Sequence, residues 1–195
     1  MIEELRRHLQ ECARALYDHQ MQVSDGGNIS VRHQERHMLI KGSKSSFSRC
    51  RPEDFVVADF DGNKIEGLSE PSKESPLHGA IYRRFADAGA VVHCHSPYAT
   101  ACAAAMDQLA FSTYHSKIKL KMPVKVFDTG SYAVASEDVE KIVSDFDPSG
   151  PLPAFLLRGH GLVAIGRDLA QAQNVAELLE ETAKIHVLSQ FLLAR

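Results

Sequence analysis

Val91-Val92-His93-Cys94-His95 is the stretch from which the fold and the chemistry of this chain are both read. Its apolar, β-branched start marks a buried strand, and side chains two residues apart on a strand share a face. His93 and His95 therefore project together, with Cα atoms about 6–7 Å apart. Cys94 faces the opposite layer and is read as packing. Two imidazoles side by side can converge on one ion, since Zn²⁺ takes nitrogen ligands at roughly 2.0–2.1 Å. The pair alone is weak evidence, since two partly buried histidines can be satisfied by main chain and water. A third imidazole, His160, follows the apolar run Phe155-Leu156-Leu157 within Arg158-Gly159-His160-Gly161. A carboxylate, Glu74, stands at the head of a predicted helix upstream. Three histidines with an open position describe a catalytic metal site better than a structural one. His8, His19, His33, His37 and His186 lack such company and are read as surface or helix-face residues.

Around this strand the chain has an α/β pattern. Ile2, Leu5, Leu9, Cys12 and Leu16 recur at helical spacing and predict a helix over 2–20. Ser24-Asp25-Gly26-Gly27-Asn28 ends it and turns into a strand over Ile29–Arg32, with another at Met38–Lys41. Phe55–Ala58 and Lys64–Glu66 flank Asp61-Gly62-Asn63, a hairpin signal. Ser75-Pro76 opens a helix to about Phe85, proline being favourable in a first turn. Strand 90–95 and a helix from Pro97 to about Met106 follow. The segment 109–128 is expected to hold strands, Val124–Phe127 among them. Ser136 is a candidate N-cap of a short helix, and 147–153 a loop. Strands 154–158 and 162–165 then lead into a closing helix over 168–193. The expectation is one domain over 1–195, a mixed and largely antiparallel sheet covered by helices.

Composition narrows the function classes. The 195 residues carry a net charge of −3 with a pI near 6.4, and no polybasic run. Nucleic acid and anionic membrane are therefore poor partners. Cys12, Cys50, Cys94 and Cys102 make no CxxC pair and read as reduced thiols of a cytoplasmic protein. Met1-Ile2-Glu3-Glu4-Leu5-Arg6-Arg7 begins an amphipathic helix, not a signal peptide. The most apolar stretch, Ala88–Met106, is interrupted by two histidines, a proline and a tyrosine, so no membrane span is expected.

Three polar segments suit an anion. Gly26-Gly27-Asn28-Ile29-Ser30 lets backbone N–H groups approach a ligand, with an amide and a hydroxyl as further donors. Lys41-Gly42-Ser43-Lys44-Ser45-Ser46 adds hydroxyls and two cations, and Pro71-Ser72-Lys73 leads directly into Glu74. Phosphate is the ligand such groups fit best. A tight turn and two solvated loops would have the same composition.

Gly-Gly-Asn-Ile-Ser at 26–30, Pro-Ser-Lys-Glu-Ser-Pro-Leu-His at 71–78, Val-Val-His-Cys-His-Ser at 91–96 and Gly-His-Gly-Leu at 159–162 come in the order seen in the class II aldolase/adducin family, which the chain resembles over nearly its whole length. The resemblance implies a three-layer αβα fold with a central antiparallel sheet, and a homotetramer with active sites between subunits. It implies Zn²⁺, or Mn²⁺, Co²⁺ or Fe²⁺, on His93, His95 and His160, with Glu74 as a possible further ligand. The substrate would be a small phosphorylated sugar. Glu74 would move protons, Tyr114 would handle the proton on the aldehyde oxygen, often across a subunit boundary, and Asn28, Ser43, Lys44, Ser72 and Lys73 would line the phosphate and substrate pocket.

Departures from the family pattern shape the expected activity. Ser43-Lys44 replaces the Thr-Gly of the fuculose-phosphate aldolase branch, and Ser72-Lys73-Glu74 replaces its Ser-Ser-Glu. The Lys-Glu pair is more similar to the branch that decarboxylates 3-oxo-tetronate 4-phosphates. The epimerase branch has an Asp where this chain has Glu74, and a dehydratase pocket segment has no clear match. The chain is also expected to lack the C-terminal tail that closes the site in some aldolases. The resulting expectation is a metal-dependent carbon–carbon lyase, aldolase ahead of decarboxylase, with a non-catalytic, adducin-like assembly module as the competing class.

Overall fold

The computed structural model describes residues 2–131 and 134–193; Met1 and Arg195, the ends of the sequence quoted above, lie outside them. The predicted alternation at 90–95 organises the whole molecule. Strand β5 (Ala90–Cys94) is the middle strand of a nine-stranded sheet in the order β4-β3-β2-β1-β5-β9-β8-β7-β6. The other strands are β1 (Asn28–His33), β2 (His37–Lys41), β3 (Phe55–Asp59), β4 (Lys64–Glu66), β6 (Gln108–Leu109), β7 (Val124–Phe127), β8 (Ala154–Leu157) and β9 (Gly161–Gly166). Every neighbouring pair is antiparallel except β7–β8. The largely antiparallel α/β expectation is borne out.

Helices cover both faces, because the central strands are apolar on both sides. Ala90, Val92 and Cys94 share one core with Leu9 and Leu16 of α1 (Ile2–Asp18), Cys102 of α3 (Pro97–Ala105), Leu120 of α4 (Tyr114–Leu120) and Ala176 of α6 (Leu169–Leu193). Val91 belongs to the other core, with Leu77 and Ile81 of α2 (Ser75–Arg84) and Ile142 of α5 (Ser136–Ser144). Cys94 thus packs away from His93, as the period of two requires. All four cysteines are free and buried. Among the described residues, no helix is long and apolar enough to cross a membrane.

Three local expectations need correction. Within 109–128 only Leu109 and Val124–Phe127 are in strands, and Tyr114–Leu120 is a helix. Thr113 caps it by accepting from the Ser116 amide at 3.0 Å, while the Ser116 hydroxyl accepts from the Thr113 amide at 3.1 Å. This reciprocal cap, with Ser116 and Leu120 buried one turn apart, outweighs the β-branched and aromatic content nearby. Ser136 is the first residue of α5 and not its cap; Ala135 holds the N-cap position with extended backbone. His95 also lies one residue beyond the end of β5.

Helix α2 matters most for the site, since it carries Glu74 at its N-cap. Gly79 lets it lie against the chain at Phe60: a Cβ on Gly79 would overlap the Phe60 carbonyl. Alanine normally stabilises a helix interior by about 0.8–1 kcal/mol over glycine. Gly79→Ala should reverse that sign and cost on the order of 2 kcal/mol or more by overpacking, read as a lower urea midpoint at unchanged slope.

Candidate metal centre and cleft

The register of three strands brings the ligands together. His93 pairs with Asn28 on β1 and with Val163 on β9, so the start of β1, the end of β5 and the turn before β9 meet at one end of the central strands. His160 sits in that turn, between Gly159 and Gly161. The three rings converge. His93 Nε2 lies 3.1 Å from His95 Nε2 and 3.2 Å from His160 Nε2. Ligand nitrogens at roughly 2.0–2.1 Å from a tetrahedral ion stand about 3.3–3.4 Å apart, close to these separations.

Protonation suits a cation as well. His93 Nδ1 donates to the Leu162 carbonyl at 2.8 Å, and because a carbonyl only accepts, the proton belongs on Nδ1 and the Nε2 lone pair is left for a ligand. Burial pushes His93, His95 and His160 each down to about 4, so all three are neutral near pH 7. Three neutral imidazoles pointing at one another are the donor set of a metal site, and His93, His95 and His160 can hold one ion.

Glu74 completes the cluster from the helix side. Its carboxylate is 3.2 Å from His93 Nε2 and 3.6 Å from His160 Nε2, with the side chain 10% exposed. Asn28 Nδ2 donates to Glu74 Oε2 at 2.7 Å, whereas Oε1 is buried without a hydrogen-bond partner.

His95, outside the strand, is held by other means. Gln22, 1% exposed, accepts from the His95 amide at 2.8 Å and donates to the Val23 carbonyl at 2.7 Å. A Cβ on Gly26 would strike both the His95 ring and Gln22, so this turn presses its backbone onto the ligand. Beyond His95, Glu180 of α6 accepts from the amides of Tyr98 and Ala99 at 3.0 and 2.8 Å, taking the capping role at the start of α3.

A cleft of about 400 Å³ opens above the histidines, and Asn28, Ser43, Lys44, Ser72, Lys73, Glu74, His95 and His160 all line it. Two of the hydroxyls make internal bonds: Ser43 donates to the Pro71 carbonyl at 2.8 Å, and Ser72 accepts from the Glu74 amide at 3.3 Å. Tyr114 is not among the residues that line the cleft. It opens α4 and is 88% exposed. His8 and His19 are exposed, and His33, His37 and His186 are half-buried.

Lys41 has a place that its sequence context only hints at. It is 2% exposed, lines the cleft, and donates to the Ser45 carbonyl at 2.5 Å. Burial lowers its pKa to about 8, which leaves it charged at neutral pH. A lysine closing the apolar run Met38-Leu39-Ile40 is the available signal. For Gln22 the sequence carries no signal that separates a buried polar anchor from a surface residue, and His78 is marked only as the last residue of the motif at 71–78.

Comparison with known proteins places the chain among related sequences and folds. A family model described as Class II Aldolase and Adducin N-terminal domain matches residues 7–187. An L-fuculose phosphate aldolase of Methanocaldococcus jannaschii is 34% identical over 179 residues, 90% of this chain and 92% of that protein. A 3-oxo-tetronate 4-phosphate decarboxylase of Haemophilus influenzae is 34% identical over 183 residues, 90% of this chain and 83% of that protein. The crystal structure of L-fuculose-1-phosphate aldolase from Thermus thermophilus superposes with a TM-score of 0.84 at 27% identity, covering 97% of this chain and 96% of that one.

Two outcomes are expected. Metal analysis should find about one divalent ion per chain, and His93→Ala, His95→Ala and His160→Ala should each remove most of it; full occupancy in all three would contradict the site. The chelated protein should also lose stability steeply with acid. The three ligands fall to about 4 and buried His78 to about 3, all below the ordinary 6.5. The unfolded chain therefore binds more protons than the folded one from about pH 6.5 down to those values. Stability is full above the unfolded value and is lost across that window as pH falls. A urea midpoint flat from pH 7 to 4.5 would contradict it.

Proposed function

The chain belongs to the class II aldolase and adducin family, and from that membership we propose that it is a metal-dependent carbon–carbon lyase cleaving a small phosphorylated ketose in the manner of an L-fuculose-1-phosphate aldolase. The observation that carries the reading is the Glu74 carboxylate held by Asn28 against three converging neutral imidazoles, at the floor of a cleft that also contains a buried ammonium. An assembly module has no use for that arrangement.

His93, His95 and His160 would hold the ion, Zn²⁺ or another divalent metal. When bound it supplies a Lewis acid that stabilises negative charge developing on oxygens next to the bond that breaks. Lys41 supports an anionic substrate: its charge is desolvated and bonded to carbonyls, so a phosphate in the cleft meets a cation worth more than one in water. Lys44, Ser43 and Ser72 add donors around the same space. Glu74 suits general acid–base work, returning a proton to the carbon left beside the carbonyl when the carbon–carbon bond opens. The hydroxyl whose carbon becomes the aldehyde must lose its proton. We assign that step to Tyr114 of a neighbouring subunit in a homotetramer, since its phenol is exposed here and stands outside its own cleft. The four reduced, buried thiols support a cytoplasmic setting.

A specific observation favours a second reading. Lys73 lines the cleft directly beside Glu74, and a 3-oxo acid phosphate carries a carboxylate for it to hold before CO₂ leaves. The decarboxylase relative makes this alternative concrete.

A panel of ketose 1-phosphates and 3-oxo-tetronate 4-phosphates, scored for released aldehyde or CO₂, tests the proposal; inactivity on every member in the metal-loaded protein would overturn it. Glu74→Gln should retain most of its metal and lose at least ~10² in kcat. Lys73→Ser should cost a decarboxylase at least ~10-fold in kcat/KM through loss of a charge-assisted contact, and leave an aldolase nearly intact.

A further inference from the structure

Strand β1 and helix α2 are joined by more than apolar packing. Alternate residues of the strand, all on the His93 face, each make polar contact with the helix or its C-terminal end. Asn28 Nδ2 donates to Glu74 Oε2 at 2.7 Å. Ser30 Oγ is 2.7 Å from His78 Nδ1 and 2.7 Å from the Tyr82 hydroxyl. Arg32 Nη2 donates to the carbonyls of Tyr82 and Phe85 at 2.6 and 3.0 Å, and Nε to that of Ala88 at 2.8 Å. The spacing works because two strand residues advance about 6.6–6.8 Å and four helical residues about 6.0 Å. Residues 28, 30 and 32 therefore keep pace with 74, 78 and 82.

The middle rung is enclosed. Ser30 and His78 are 0% exposed and Tyr82 1%, among Leu77, Ile81 and Phe60 of the core. Apolar side chains would fill this space without any requirement for direction. A hydrogen-bonded trio permits one height of the helix against the strand. Glu74 stands one helical turn before His78, at an N-cap where its own side chain makes no cap hydrogen bond. Its carboxylate is held by Asn28 from the strand, with the Ser30–His78–Tyr82 rung one turn further along.

We infer that Ser30 and His78 are positioning residues, a buried rung that sets the height of α2 so that the Glu74 carboxylate meets the reacting centre. The inference rests on the assignment of Glu74 as the proton-transfer group. Neither Ser30 nor His78 is expected to touch substrate. The effect passes through the helix: with the rung intact the carboxylate is delivered at His93, and without it α2 has no directional contact between Asn28 and Arg32.

Ser30→Ala and His78→Leu test this, with His78→Asn as the conservative variant, since its amide reaches the position of Nδ1. Three readouts are compared in the full-length protein: metal dissociation constant, kcat and KM on the substrate found above, and the visible spectrum of the Co²⁺-substituted protein. In Ser30→Ala and His78→Leu the metal dissociation constant should stay within ~3-fold, while kcat falls at least ~10-fold with KM within ~3-fold. Their Co²⁺ bands should move toward those of Glu74→Gln, and His78→Asn should restore both kcat and spectrum. Parental kcat and spectrum with only a lowered Tm would show a merely structural rung and overturn the inference. If the parent protein turns over no sugar phosphate, the lyase reading fails on its own and the Co²⁺ spectra still decide the rung. Should His78→Leu not fold, Tyr82→Phe removes one arm of the trio in a conservative way; an unshifted spectrum in both it and Ser30→Ala would count against the proposal.

Discussion

The register between β1, β5 and β9 is the constraint on which everything else depends. His93 sits opposite Asn28 on one side and Val163 on the other, and its Nδ1 is tied to the Leu162 carbonyl. Side chains alternate with a period of two, so a slip of one residue would turn His93 into the α1–α6 layer and bring Cys94 to the site. The apolar residues on either side prevent that. Val91 and Val92 are both fully buried, in different cores, and neither can exchange faces without leaving an aliphatic group or an imidazole in the wrong surroundings. Packing of the sheet thereby sets the geometry of the metal centre.

Burial does the electrostatic work around that centre. It keeps three imidazoles neutral, in the form that donates a lone pair, and holds the Lys41 ammonium among carbonyl oxygens. One carboxylate shares the space, with an oxygen that has no hydrogen-bond partner. Such unmet groups are costly in an ordinary core and cluster where a ligand is to be received. The surrounding anchors are polar but complete. Gln22 is bonded at both ends of its amide, Glu180 satisfies two helix amides, and Arg32 reaches three carbonyls. Unmet hydrogen-bonding capacity at the site lies on Glu74 Oε1, Asn28 Oδ1 and His160 Nδ1, while Gln22, Glu180 and Arg32 are bonded.

Much of this is legible in one dimension. The helical stripe of α1, the Asp61-Gly62-Asn63 hairpin and the Ser75-Pro76 start of α2 follow from side-chain periodicity and turn chemistry, which are local. Helix α4 escapes such a reading because valine, phenylalanine and tyrosine near it favour strands, while its capping residues Thr113 and Ser116 are common everywhere. Ser136 has the look of a cap because serine usually is one, but the cap position is defined by backbone conformation, and Ala135 has it. The family resemblance expects Tyr114 at the site. The helix places it on the surface, outside its own cleft.

The facing of His93 and Cys94 is readable from the chain because it depends on spacing within a short segment, and the α/β class is readable because side-chain periodicity is local to each element. Motif order along the chain also identified the family. Tertiary structure alone decided that His160 and Glu74 come within 3.2–3.6 Å of the others, since they lie on segments far apart along the chain. It decided too that Asn28 holds Glu74, that Gln22 holds His95, and that Lys41 is buried beside the cleft. Those contacts depend on how a helix is pitched against a strand, and distances of that kind are not written in any local pattern.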